Sequence, residues 1–456
     1  MINYIIIGNG AAGTAAAEII RKYDNGTITI LSAEPYPMYS RPGLAYVLTG
    51  QIPAKQAITR TEKWYQERNI NLVYARATKI DTNHQQIYLN NGQTLPYDRL
   101  LIATGARAVP PPYAGHDLDG VVYLDTMAGT KDLLQQIASR RRHRFWRGTP
   151  RAVVIGGGIT ALEMAEGLAM QKVKTHYFLR GDQLWRRVFT ADEADLIAHK
   201  IEEHGVTIHY NTEIEEIIGD GRGRVSAVTR LHHKRPLPGT FPCDFVGAAI
   251  GVRPQISLVK DTPIATERGI LVNSHLESNI PNIYAAGDCA QVYDQWSDKH
   301  LLDVLWPSAV AEGKTAGYNM VGHTIPYQKE IPFNVCLLFG LHIAIIGQIS
   351  PDPSGPDEEF QEALSRGSSE VWFTFPRNYA SAWSNKGHQG IRLAWADDQL
   401  VGALLIGNQK LAEPIRDLIT HQVDLTHLAP QNQPNLDDLP QQLEQAWLNW
   451  RQTCAK

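Results

Sequence analysis

The chain has 456 residues, with 43 Lys and Arg against 47 Asp and Glu and a formal net charge of -4, so no global field draws it to nucleic acid or to an anionic membrane. Its length predicts about two to four domains with ample core. Cys243, Cys289, Cys336 and Cys454 are scattered and form no CxxC, which argues against a zinc site or a disulfide scaffold and fits a reducing, cytoplasmic setting. The opening MINYIIIGNG carries no basic segment ahead of its apolar run. No apolar run reaches the ~18 residues needed to span a bilayer, so a soluble, unexported protein is expected.

In chain order, Tyr4 to Ile20 reads as an apolar strand, a glycine turn and an Ala-rich helix, and Thr27 to Leu31 as a second strand. Gly92 to Asp98 reads as a turn, Leu100 to Thr104 as a buried strand and Asp125 to Ala138 as a helix. The strand-turn-helix pattern then repeats over Ala152 to Met170, so two nucleotide-binding units share one chain. Further strands are expected at Val206 to Tyr210, Phe245 to Ile250 and Asn282 to Ala286. From Ile325 the pattern turns β-rich (VWFTF, GIRLAWADDQLVGALLIG), giving a third domain without a glycine loop that packs and binds no nucleotide. Ala429 to Asn435 reads as a linker, and Leu439, Leu443, Trp447 and Leu448 as an amphipathic helix docked on its own body.

In GNGAAG, Gly8, Gly10 and Gly13 follow a strand, and Ala11 and Ala12 open a helix. That context suits a dinucleotide, because the glycines let the backbone approach a pyrophosphate stabilised by the helix N-terminus. Glu34, just past the second strand, stands where a carboxylate accepts from an adenosine ribose. In GGGITA, Gly156, Gly158 and Ala161 repeat the pattern, with Ile159 and Thr160 opening the helix. Here Leu179 and Arg180 hold the place of a ribose-binding carboxylate, and Arg186 and Arg187 follow. An apolar residue cannot hold a 2′-hydroxyl, whereas guanidinium groups match a 2′-phosphate, so NADPH is expected rather than NADH. Asp182 is the alternative ribose acceptor, which would restore NADH. The scattered histidines, His84, His116 and His176 among them, show no ligand spacing, and no metal is expected. Ser139 to Gly148 gathers five arginines and two aromatics, read as a solvated loop, with docking of an acidic carrier as the alternative.

With LLIATGARAVPP, AAIGVRP and NIYAAGDCA in the same order, the chain resembles the FAD-dependent pyridine nucleotide-disulfide oxidoreductase superfamily over roughly its first 400 residues. The segment Glu34 to Gly50 is similar to the flavin-facing segment of rubredoxin reductases, related ferredoxin reductases and the flavin domain of assimilatory nitrite reductases. The resemblance implies that Asp288 meets the ribityl chain, that Thr104 and Gly105 supply backbone at the domain crossover, that Gly251 of AAIGVRP binds cofactor, and that Arg41 touches FAD. It implies Ala77 over the adenine, Glu163 near flavin and nicotinamide, and Leu305 and Trp306 at the flavin edge. Relatives of the disulfide-reducing branches carry one or two cysteines where this chain has Ser40 to Leu48, and it has none there. Without a thiol beside the flavin, electrons are expected to leave it directly for an external acceptor. Cys336 stands where relatives place Lys or Trp and is read as a buried hydrophobe.

The expected fold class is α/β: two Rossmann-like dinucleotide-binding domains, for FAD and NAD(P)H, plus a C-terminal α+β domain. The expected boundaries are 1–118 with 250–323 for FAD, 119–249 for NAD(P)H, 324–428 for the third domain and 429–456 for linker and tail helix. The expected activity is hydride transfer from NADPH to FAD and onward transfer to a rubredoxin- or ferredoxin-type carrier, by a monomer or homodimer. An NAD(P)H oxidase or quinone reductase, and a flavin redox sensor resembling apoptosis-inducing factor, are the alternatives.

Overall fold

Short apolar strands such as NYIII and TITIL are buried on both faces, the condition of strands in a parallel sheet covered by helices. In a computed structural model of the chain, the residues described are 1–142, 148–186, 188–294, 299–349, 380–386, 389–396, 399–429, 432 and 438–454. The first sheet is parallel, in the order Ile283–Ala285, Arg99–Ile102, Asn3–Ile7, Thr27–Leu31, Ile70–Val73. Its edge strand thus comes from a distant part of the chain. Helix Ala11–Tyr23 packs on helix Trp306–Met320 at very close range: a Cβ on Gly313 would strike the Ala12 carbonyl.

The second sheet is also parallel, in the order Thr207–His209, Lys174–Phe178, Arg151–Ile155, Phe245–Ala248, Val121–Val122. Its helix Ile159–Met170 follows the second glycine turn. The helix expected over Asp125 to Ala138 runs instead over Met127–Arg142. Thr126 sets the start, its hydroxyl accepting from the Gly129 N–H at 3.1 Å, and Arg140 extends the end by donating to Asp244 at 2.8 Å. Arg140, Arg141 and Arg142 are therefore helical, and 143–147 lie outside the described residues.

The C-terminal domain is α+β. Five antiparallel strands run in the order Phe333–Leu338, Leu341–Gly347, Gln399–Ile406, Gln389–Ala396, Ala380–Lys386. One sheet face, with Ile343 and Leu404, shares a core with Leu162, Leu168 and Val188 of the second Rossmann-like domain. The opposite face is covered by helices Ala412–Thr420 and Leu439–Cys454. The terminal helix buries Leu439 and Leu443, and the Trp447 indole N–H donates to Asp417 at 2.9 Å. It docks on its own body. The expected VWFTF strand and most of the expected linker lie outside the described residues. Among the described residues no helix is long and apolar enough to cross a membrane.

Candidate cofactor-binding site

Both glycine turns solve the same steric problem. Gly8 has φ +124°, and a Cβ there would collide with the Ala103 carbonyl at the end of the neighbouring strand; Gly156 has φ +134° and would collide with the Ala249 carbonyl. Only glycine takes both the conformation and the space. The two helices begin after Gly10 and Gly158, and no side chain caps either N-terminus. A helix start without a side-chain cap suits an anion, which its first N–H groups and the helix dipole favour.

Both helix starts line one cavity of about 680 Å³. The first unit and the segments packed on it contribute Gly10, Ala11, Ala12, Arg41, Asp288, Leu305 and Trp306; the connecting segments contribute Gly105 and Gly251; the second unit contributes Gly156, Gly158, Ile159, Thr160, Glu163, Arg180 and Arg186. Gly8 and Gly13 lie behind the first turn, where a Cβ on Gly13 would meet the Gly8 carbonyl. Thr104 sits behind the wall, its hydroxyl donating to the Gln255 carbonyl at 2.7 Å while the Gln255 amide donates back at 2.9 Å. Ala77 pairs with Leu89 in the meander that starts at Ala77–Asp81 and is not among the cavity-lining residues. Arg187 lies outside the described residues.

Glu34 is held by two partners, accepting from Arg41 Nη2 and from the Tyr39 hydroxyl, each at 2.7 Å. Arg41 also donates to the Asp125 carbonyl, and Tyr39 accepts the Met127 N–H at 3.2 Å. Tyr39 and Asp125 both line the cavity. Tyr39 opens the YSRP segment, which is its signal in the sequence, and Asp125 has none.

Asp288 faces the cavity from deep inside the protein. Burial pushes its carboxyl up to about 6, against the pull of Arg41 and with Asp303 adding to the rise. Glu312, 1% exposed, accepts the Gly287 N–H at 2.7 Å and fixes the turn that presents Asp288. Burial, and then Asp303, hold Glu312 well above the usual carboxylate range. These acidic groups suit hydroxyl-rich ligand atoms, to which a carboxyl can either donate or accept.

In the second unit the Leu179 side chain is 3% exposed and offers no polar group, while Arg180, Asp182, Gln183 and Arg186 line the wall. Cys289 is buried, its thiol donating to the Ile102 carbonyl at 3.3 Å. Burial raises the Cys289 thiol and pushes the Cys243 thiol up to about 12, so neither is a ready thiolate. Cys336 packs in the core shared with the C-terminal domain.

The family model described as pyridine nucleotide-disulphide oxidoreductase matches residues 2–312. The nitrite reductase [NAD(P)H] of Bacillus subtilis is 28% identical over 428 residues, covering 92% of this chain and 48% of that protein. The chain thus spans about half of that relative's length. The NADH-rubredoxin oxidoreductase of Clostridium acetobutylicum is 28% identical over 349 residues, covering 76% of this chain and 81% of that one. Among solved structures, a covalent putidaredoxin reductase-putidaredoxin complex matches at a TM-score of 0.79 and 21% identity, covering 97% of this chain and 99% of that one, a likeness of fold.

Proposed function

The chain belongs to the pyridine nucleotide-disulphide oxidoreductase family and is an FAD-dependent NAD(P)H oxidoreductase; from that premise we propose that it oxidises NADPH and passes electrons to a small rubredoxin- or ferredoxin-type carrier. The observation that carries this reading is one cavity walled by both helix starts, with Arg180 and Arg186 past the second and no cysteine among its described lining residues. FAD, when bound, takes a hydride from the nicotinamide and releases electrons one at a time.

The protein's own part is placement. The helix starts at Gly10 and Gly158 hold the two pyrophosphates, and Glu34 takes the adenosine ribose of FAD. Asp288 and Arg41 hold the flavin, Leu305 and Trp306 border it, and Glu163 orients the nicotinamide between the two halves. Arg180 and Arg186 recognise the 2′-phosphate, with Leu179 in place of a carboxylate at the strand's exit. The rubredoxin-reductase name of one relative supports a carrier as acceptor, and four free cysteines support a reducing, cytoplasmic compartment.

Anaerobic stopped-flow mixing tests the reading. NADPH is expected to bleach the flavin faster than NADH, and a rubredoxin or ferredoxin to restore the colour faster than oxygen or a quinone. Colourless protein that cannot be reconstituted with FAD would end the proposal; equal reduction by both coenzymes would end its NADPH part, and faster recovery with oxygen its carrier part.

A further inference from the structure

Arg392 lies in strand Gln389–Ala396 of the C-terminal domain, 1% exposed, yet its guanidinium bonds to the second Rossmann-like domain. Nε donates to Glu193 Oε1 at 2.7 Å, Nη1 to the Ile349 carbonyl at 2.5 Å, and Nη2 to the Val188 carbonyl. Glu193 is fully buried and is the third residue of helix Ala191–Glu203. Its other oxygen accepts the Thr190 N–H at 2.8 Å, and the Thr190 hydroxyl accepts the Glu193 N–H at 3.5 Å, a capping box. One guanidinium therefore ties down both the Val188 carbonyl and the start of this helix.

Immediately before them in the chain stands the wall of the cavity. Trp185 is 4% exposed at φ +41°, a conformation a bulky residue keeps only when its surroundings enforce it. Its carbonyl accepts from the Val188 and Phe189 N–H groups at 2.8 and 3.0 Å. Its ring meets Phe189 edge-on at 5.2 Å, and the Gln183 side-chain amide donates to the Phe189 carbonyl at 2.7 Å. Arg180, Gln183, Trp185 and Arg186 line the cavity on this same stretch. A buried ion pair of this kind is weak evidence for stability, since desolvating both charges offsets their attraction, but its directional bonds fix a geometry.

We propose that Arg392 is a positioning residue for coenzyme recognition: through Glu193 and Val188 the C-terminal domain holds the stretch that carries Arg180 and Arg186, and so sets selectivity for the phosphorylated coenzyme. The inference rests on the reading of that stretch as the 2′-phosphate site. Removing one charge alone would leave the other buried and unpaired, so the test uses the double variant Arg392→Met with Glu193→Met, which keeps the volume apolar. In the holoenzyme this variant is expected to retain flavin and kcat within about twofold, to raise KM for NADPH about tenfold and to leave KM for NADH within about twofold.

An unchanged ratio of the two KM values, or an equal rise in both, would overturn the proposal. Should the double variant not fold, Arg392→Lys, which keeps the charge but not the fork, decides the point, with a smaller rise for NADPH alone as the supporting result. Arg180→Ala run in parallel separates the two levels: if it leaves the NADPH preference untouched, the 2′-phosphate reading falls. The positioning role is then decided by hydrogen exchange at residues 183–186, where at least tenfold faster exchange in the double variant supports it and unchanged exchange refutes it.

Discussion

The two glycine-turn units share a backbone and part company at their side chains. Gly8 and Gly156 have nearly the same φ and each backs onto the carbonyl closing a neighbouring strand. Past the second strand, one unit carries Glu34 bound to Tyr39 and Arg41, whereas the other carries Leu179 and a wall with Arg180 and Arg186. Pyrophosphate binding is a backbone property, the same in both; which ribose end is accepted belongs to a few side chains at the strand's exit.

The largest effects are expected where that shared backbone is disturbed. Gly8→Ala combines a disfavoured φ with a collision against main chain, costing about 3 kcal/mol or more, and should yield protein depleted of flavin, read from the visible absorbance per chain. Gly156→Ala carries the same strain but should keep the colour and lose reduction by either coenzyme. Flavin loss in both variants would mean that the two units are not separable. Next comes Arg180→Ala with Arg186→Ala: losing charge-assisted bonds worth roughly 1.5–3 kcal/mol each should weaken NADPH at least tenfold. NADH should change by no more than about threefold, judged by KM in steady state. Smaller again is Glu34→Gln, which keeps the shape and removes the charge; FAD retention on dilution, followed by flavin fluorescence, should fall about tenfold.

What was legible in the residues follows the same division. The glycine turns were readable because a backbone with φ near +130° admits no other residue, and the strands around them because burial on both faces demands unbroken apolar runs. Leu179, Arg180 and Arg186 were readable because they sit at a fixed step from the turn. Asp125 was not, since its contact with Arg41 spans 84 residues, nor was the Arg392–Glu193 pair, which spans 199; no local period records a bond made by tertiary folding. The helix expected from Asp125 starts two residues later for a different, local reason: the Thr126 hydroxyl caps it by accepting the Gly129 N–H.

The smallest effect separates the two sheets by acid. Three residues before the glycine turn, Ile5 pairs with Thr29 in the first sheet and Val153 with His176 in the second. His176 is 8% exposed, its Nδ1 3.0 Å from His209 Nε2, and its ring edge-on to Phe241 at 4.8 Å. Burial pushes it down to about 4, with His209, Lys174, Arg151 and Arg230 adding their positive charges. A histidine lowered in the fold contributes stability that is complete above its unfolded value of about 6.5 and is lost as pH falls through about 4. Thr29 does not titrate. Protection against hydrogen exchange, corrected for the intrinsic slowing in acid, should therefore fall in strands Arg151–Ile155 and Lys174–Phe178 between pH 6.5 and 4 by more than it does in strand Asn3–Ile7. His176→Asn should remove most of that excess. If both sheets loosen together in the parent and the variant alike, the histidine pair carries none of the difference between them.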